Sequence, residues 1–149
     1  MTKYDGIIHR GIAAYFTVTK GLTAKMGCLT SEELTSDQFQ ILMIMSKREV
    51  CTSTELSEVF QVGKSSITAM INRLVDRGFV DRNANPHDRR QIDLSLTESG
   101  KTIYLEAEAK LNNILIELFV HFSDEEIENF VTSYEKLAQL MFMEGSQPE

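Results

Sequence analysis

Cysteine is scarce in this chain: Cys28 and Cys51 are the only two. They lack the CxxC spacing of a metal or redox pair, and a protein kept in a reducing compartment need not join them. The three histidines, His9, His87 and His121, lie far apart and form neither an HxxxH nor an HExxH pair. No Gly-rich phosphate loop and no serine-nucleophile elbow is present. No constellation of acid, base and nucleophile can be assembled, so neither an enzyme, a metal site nor a cofactor is expected. No apolar run approaches the length that crosses a bilayer, which removes a membrane from the expected partners. The opening residues Met1-Thr2-Lys3-Tyr4-Asp5 do not read as a signal peptide, and the expected location is the cytoplasm. Internal repeats and low-complexity linkers are also missing.

The informative stretch runs from Thr52 to Gly100. Thr52 and Glu55 fit a capping box and predict a helix start. Leu56, Val59 and Phe60 follow at helical spacing and are expected to face inward. Ser57 is small, as suits a close helix crossing. The pattern breaks over Gln61-Val62-Gly63, where Val62 is expected to plug the space between two helices. A second helix restarts at about Gly63. Its buried stripe is Ile67, Met70, Ile71 and Leu74, spaced i, i+3, i+4, i+7. The opposite face carries Lys64, Ser65, Thr68, Ala69 and Asn72. It is small, polar and free of acids, a surface that can sit in a groove and reach base edges. Lys64 lies near the helix start, where phosphate is attracted by the helix dipole.

Gly78 is expected to end that helix. Phe79-Val80-Asp81-Arg82 reads as a strand, Asn83-Ala84-Asn85-Pro86-His87 as a turn, and Gln91 to Leu96 as a returning strand. Ile92, Leu94 and Leu96 alternate with polar residues, predicting one buried face. The hairpin tip is basic, with Asp88-Arg89-Arg90, and a projecting arginine suits the narrow, negative minor groove. Asp88 is read as the partner that fixes an arginine's direction. The fold class is therefore mainly α with a small β-hairpin wing: a winged helix-turn-helix flanked by terminal helices that form a dimerisation region.

The net charge of −7 looks wrong for a DNA binder, but its distribution matters more. From Phe60 to Lys101 seven basic residues, Arg73 among them, face five acids, so this segment is +2 and the remainder −9. A positive face on an acidic body still attracts phosphate, and its binding should be salt-sensitive.

Around this head, Tyr4 to Met26 reads as a helix with Ile8, Ile12, Tyr15, Phe16 and Thr19 along one side. Thr35 and Gln38 form a second capping box, opening a helix with Phe39, Leu42, Met43 and Met45. Thr97 caps a long helix to about Phe122, and Ser123 with Glu126 opens the last one. The expected segments are 1–34, an N-terminal helix of the dimerisation region; 35–97, the winged head; and 98–149, the C-terminal dimerisation helices. The terminal helices carry more apolar side chain than a small winged domain covers, and a second copy is the simplest cover. An internal bundle within one chain is the alternative. The head joins the long helix directly at Thr97, so movement of the helices can reposition the wing.

The run Asp88-Arg89-Arg90, then Ile92, Leu94, Leu96-Thr97 and Gly100, resembles the signature of the MarR family of bacterial transcription regulators. Ile67 to Leu74 followed by Arg77-Gly78-Phe79-Val80 is similar to that family's recognition helix and its exit into the wing. The resemblance implies a homodimer that binds a pseudo-palindromic operator in double-stranded DNA, usually as a repressor released by a small ligand or by oxidation. It implies Asp88 as orienting acid and Arg90 as minor-groove arginine, with Arg89 beside it. Ser65, Ser66, Thr68 and Asn72 would lie on the major-groove helix, with Lys64 and Arg73 in the same interface. Gly63 stands where the family often has serine; glycine is an acceptable cap. The family also implies a small-molecule crevice, and Tyr15, Phe16, Met43 and Met45 could line one or be plain core. Oxidation-sensing members place a reactive cysteine near the start of the first helix. Cys28 comes at that helix's end, so it is read either as a redox site or as an ordinary thiol. The reading from another class is a protein-interaction module on the same fold without DNA binding; the acid-free face from Lys64 to Asn72 argues against it.

Overall fold

The computed structural model describes residues 2–26 and 34–144. In chain order these form α1 (Asp5–Met26), α2 (Ser36–Ser46), α3 (Ser53–Phe60), α4 (Lys64–Asp76), β1 (Val80–Ala84), β2 (Ile92–Leu96), α5 (Glu98–Phe119) and α6 (Asp124–Glu144). The architecture is a winged helix: mostly helical, with one antiparallel hairpin.

Local chemistry sets the helix starts. Thr35 with Gln38 and Thr52 with Glu55 form complete capping boxes at α2 and α3. Ser123 and Glu126 exchange the same two bonds at α6. Each satisfies amides that the first turn leaves free and contributes about 1 kcal/mol. α3 ends at Gln61, in the left-handed region at φ 51°. Ser57 Oγ donates to the Val62 carbonyl at 2.6 Å, closing the turn, and Val62 packs partly buried against the core.

The core joins Phe39, Ile41, Leu42 and Met45 of α2 to Leu56 of α3 and to Ile67, Ile71 and Leu74 of α4, with Phe79, Val80 and Leu94 from the hairpin and Ile103, Tyr104 and Ala107 from α5. Met70 is partly buried beside them. Two inward assignments fail. Val59 is 41% exposed, because the two-turn α3 turns Leu56 and, in part, Phe60 to the core and leaves Val59 at the edge of that face. Ile92 is 46% exposed whereas neighbouring Asp93 is 8% exposed. Ile92 pairs with Ala84 at the far end of the ladder, beyond the core's reach, while polar side chains of the tip enclose Asp93.

The first strand also runs further than the sequence implies. Asn83 and Ala84 are in the ladder, opposite Asp93 and Ile92, so the turn begins at Asn85. Cys51 adds a third, one-residue rung: its N–H and carbonyl bond Leu94 at 3.0 and 2.8 Å.

Where α4, the hairpin and α5 meet, the backbone is close-packed. Gly78 has φ 76°, a left-handed exit that glycine makes without strain. Thr97 Oγ1 donates to the Gly78 carbonyl at 2.6 Å and accepts the Gly100 N–H at 2.9 Å. Thr97 N–H donates to the Phe79 carbonyl at 3.1 Å.

The chain divides into two compact units, one through Leu111 and one from Asn112. In the first, α5 buries Gly100, Ile103, Tyr104 and Ala107, while α1 has no buried residue. α5 stops at Phe119 rather than near Phe122. In the second, α6 exposes Phe130, Tyr134, Leu137, Leu140 and Met141. Among the described residues no helix is long and apolar enough to cross a membrane.

Candidate nucleic-acid interface

α4 presents two chemically opposite faces. Ile67, Ile71 and Leu74 are fully enclosed. Lys64, Ser65, Ser66, Thr68, Ala69, Asn72 and Arg73 are all exposed. Gly63 makes no side-chain cap bond, so no side chain competes for the positive end of the helix dipole. Thr68 Oγ1 donates to the Lys64 carbonyl at 2.7 Å, so its hydroxyl proton is engaged within the helix. Asn72 is not free: its Oδ1 accepts from Arg82 Nη2 on β1. Sequence patterns missed Arg82, because the contact crosses the Gly78 exit and follows no helical or strand period.

The wing tip is a tight polar turn. Asn85 Oδ1 accepts the N–H groups of His87 at 2.8 Å and Asp88 at 2.9 Å. Asp88 Oδ1 accepts the Arg90 N–H at 2.9 Å and lies 3.8 Å from Arg90 Nε. The Arg90 side chain is 96% exposed. Such an exposed ion pair adds little stability, at most about 1 kcal/mol; its consequence is the direction given to Arg90. Arg89 is exposed beside it.

A family model described as "MarR family" matches residues 34–92. The HTH-type transcriptional repressor MdtR of Bacillus subtilis is 30% identical over 111 residues, spanning 74% of this chain and 72% of its own. The chain belongs to the MarR family. Its structural neighbours agree. A mutant MarR from E. coli, crystallised with operator DNA, superposes with a TM-score of 0.73 at 25% identity, covering 92% of this chain and 99% of that one. A MepR-like protein complexed with pseudoligands gives 0.67 at 28% identity, covering 94% and 97%.

Within this MarR-family chain the signature residues divide by task. Asp88 and Arg90 shape the tip, Leu94 and Leu96 turn inward while Ile92 stays exposed, and Thr97 and Gly100 knit the hairpin to α5. The four residues considered for a small-molecule crevice separate. Tyr15 and Phe16 are 56% and 61% exposed, with rings edge-on at 5.4 Å. Met43 is partly buried against the core. Met45 is 2% exposed and packs in the core. Cys28 lies outside the described residues. Cys51 is buried, and its thiol is pushed up to about 11, first by burial, then by Glu55, with Arg48 opposing. Among the described residues no group of three or more His, Cys, Asp or Glu is placed to hold a metal.

Proposed function

We propose that this chain is a sequence-specific regulator that binds double-stranded DNA: a homodimeric repressor of a pseudo-palindromic operator, acting in the cytoplasm and released by a small ligand or another signal. The observation that carries the reading is the exposed, acid-free outer face of α4, flanked by a wing whose Arg90 projects almost wholly into solvent. In this reading α4 enters the major groove. Ser65, Ser66, Thr68 and Asn72 face base edges, and Lys64 and Arg73 face phosphates. Arg90, directed by Asp88, reaches the adjacent minor groove with Arg89 beside it.

Residues 35–97 form the reading head, and 1–34 and 98–149 the dimerisation region. Support for a dimer is the apolar side chains that α1 and α6 each leave open to solvent. Support for DNA binding and repression is the operator complex of the E. coli neighbour and the repressor name of the Bacillus relative. Support for a ligand is the MepR-like complex, with Tyr15 and Phe16 as the aromatic surface such a ligand would meet.

The test is retention on a library of random duplex DNA at two salt concentrations, followed by sequencing. An enriched inverted repeat with half-sites about one helical turn apart is the expected result. Sequence-blind retention that vanishes with salt would overturn the reading.

A further inference from the structure

We infer that Asn85 and Asp93 are positioning residues that aim Arg90 from beneath the wing tip, so that operator affinity depends on a polar clamp which itself touches no DNA. The inference rests on the DNA-binding reading above. Asp93 is 8% exposed, the one buried acid between Phe60 and Lys101. A buried carboxylate is tolerated only when its oxygens are hydrogen-bonded. Asn85 Nδ2 donates to both of them, at 3.2 and 3.1 Å. Gln91 Nε2 donates to Oδ1 at 3.2 Å.

These bonds fix which way the Asn85 amide points. Its nitrogen faces Asp93, so its oxygen must face the turn. There it accepts the N–H groups of His87 and Asp88, at 2.8 and 2.9 Å. Asp88 is thereby seated with Oδ1 against the Arg90 N–H at 2.9 Å and 3.8 Å from Arg90 Nε. Backbone bonds from Asn85 N–H to the Gln91 carbonyl at 3.1 Å, and from Gln91 N–H to the Asp88 carbonyl at 3.0 Å, close the loop. A continuous chain of hydrogen bonds therefore runs from Asp93 through Asn85 and Asp88 to the Arg90 backbone N–H, and the Asp88 carboxylate that ends it faces the guanidinium at 3.8 Å. An arginine whose backbone is fixed this way loses less loop freedom on entering a groove than one on a loose turn. The clamp works because an amide faces a carboxylate, and that complementarity can be exchanged.

The experiment titrates the full chain at fixed salt against the inverted-repeat duplex recovered from the random library. The variants are Arg90→Ala, Asn85→Asp, Asn85→Asp with Asp93→Asn, and Asn85→Asp with Arg90→Ala. Asn85→Asp alone sets two carboxylates face to face and is expected to weaken binding about tenfold. Adding Asp93→Asn again sets one amide against one carboxylate and leaves an acceptor for the turn. Binding should return to within about twofold of the parent, because the pair acts as a unit. With Arg90→Ala already present, Asn85→Asp should cost almost nothing more. Urea midpoints of the parent and the exchanged pair should agree.

Parent-like binding by Asn85→Asp would overturn the inference. So would an exchanged pair that is as stable as the parent yet still binds weakly, or an Asn85→Asp loss of equal size without Arg90. Arg90→Ala binding as tightly as the parent would instead overturn the wing reading, and the inference with it. Failure of the parent to select any duplex would overturn the DNA reading itself.

Discussion

Gly100 stands where no side chain fits. A Cβ there would lie 2.0 Å from the Phe79 carbonyl oxygen, and that oxygen already accepts the Thr97 N–H. Neither partner can give way without pulling the hairpin off α5. Gly100→Ala is expected to destabilise the fold by about 3 kcal/mol, as a strained overpacking, read as a lower urea midpoint. An unchanged midpoint would mean that the contact relaxes freely. Cys51 makes the opposite kind of statement. Its folded-state pKa, raised from 9.0 to about 11, means that the folded chain keeps a proton which the unfolded chain gives up. That contribution is fully present below pH 9 and is lost as pH rises from there to about 11. The stability of Cys51→Ala should therefore fall less over that window than the parent's, and the native thiol should resist alkylation at pH 8. Equal slopes for the two proteins would contradict the burial argument. The glycine was visible in the sequence as part of a motif, but only the Phe79 carbonyl explains why no other residue serves.

Elements were legible wherever their causes are local. The three capping boxes, the α4 stripe and the Gly78 exit each depend on residues within one or two turns, and each forms as the spacing implies. Thr52→Ala should cost about 1 kcal/mol, measured by urea unfolding, because it removes the acceptor for the Glu55 N–H. A cost near zero would mean that packing of Leu56 alone fixes the start of α3. The wing was legible as a hairpin but not in its facing. Alternation assigned Ile92 inward and Asp93 outward, whereas Asp93 is enclosed and Ile92 is not. Period-two patterning assumes a core along the whole strand, and here the core ends at Leu94. The Asn85–Asp93 and Asn72–Arg82 contacts were invisible for a related reason. They join residues 8 and 10 positions apart across turns, where no helical or strand period applies.

At the scale of the whole molecule, the unresolved balance is between an acidic chain and an apolar surface that a single copy leaves uncovered. Phe130 is 61% and Tyr134 54% exposed, with their rings stacked at 5.5 Å on one side of α6. If a second copy covers that face, sedimentation should report a dimer, and Phe130→Asp should shift the mass toward the monomer at micromolar concentration. A parent that stays monomeric at every concentration would defeat the dimer reading. The sequence by itself determined the helix starts, the acid-free face of α4, the basic tip and the family, because spacing, caps and motifs are properties of neighbouring residues. Only the tertiary structure decided which hairpin residues are enclosed, that Met45 is core, and that Arg90 is tied through Asp88 and Asn85 to Asp93. Those outcomes depend on where the core ends and on which polar groups must find partners once water is excluded.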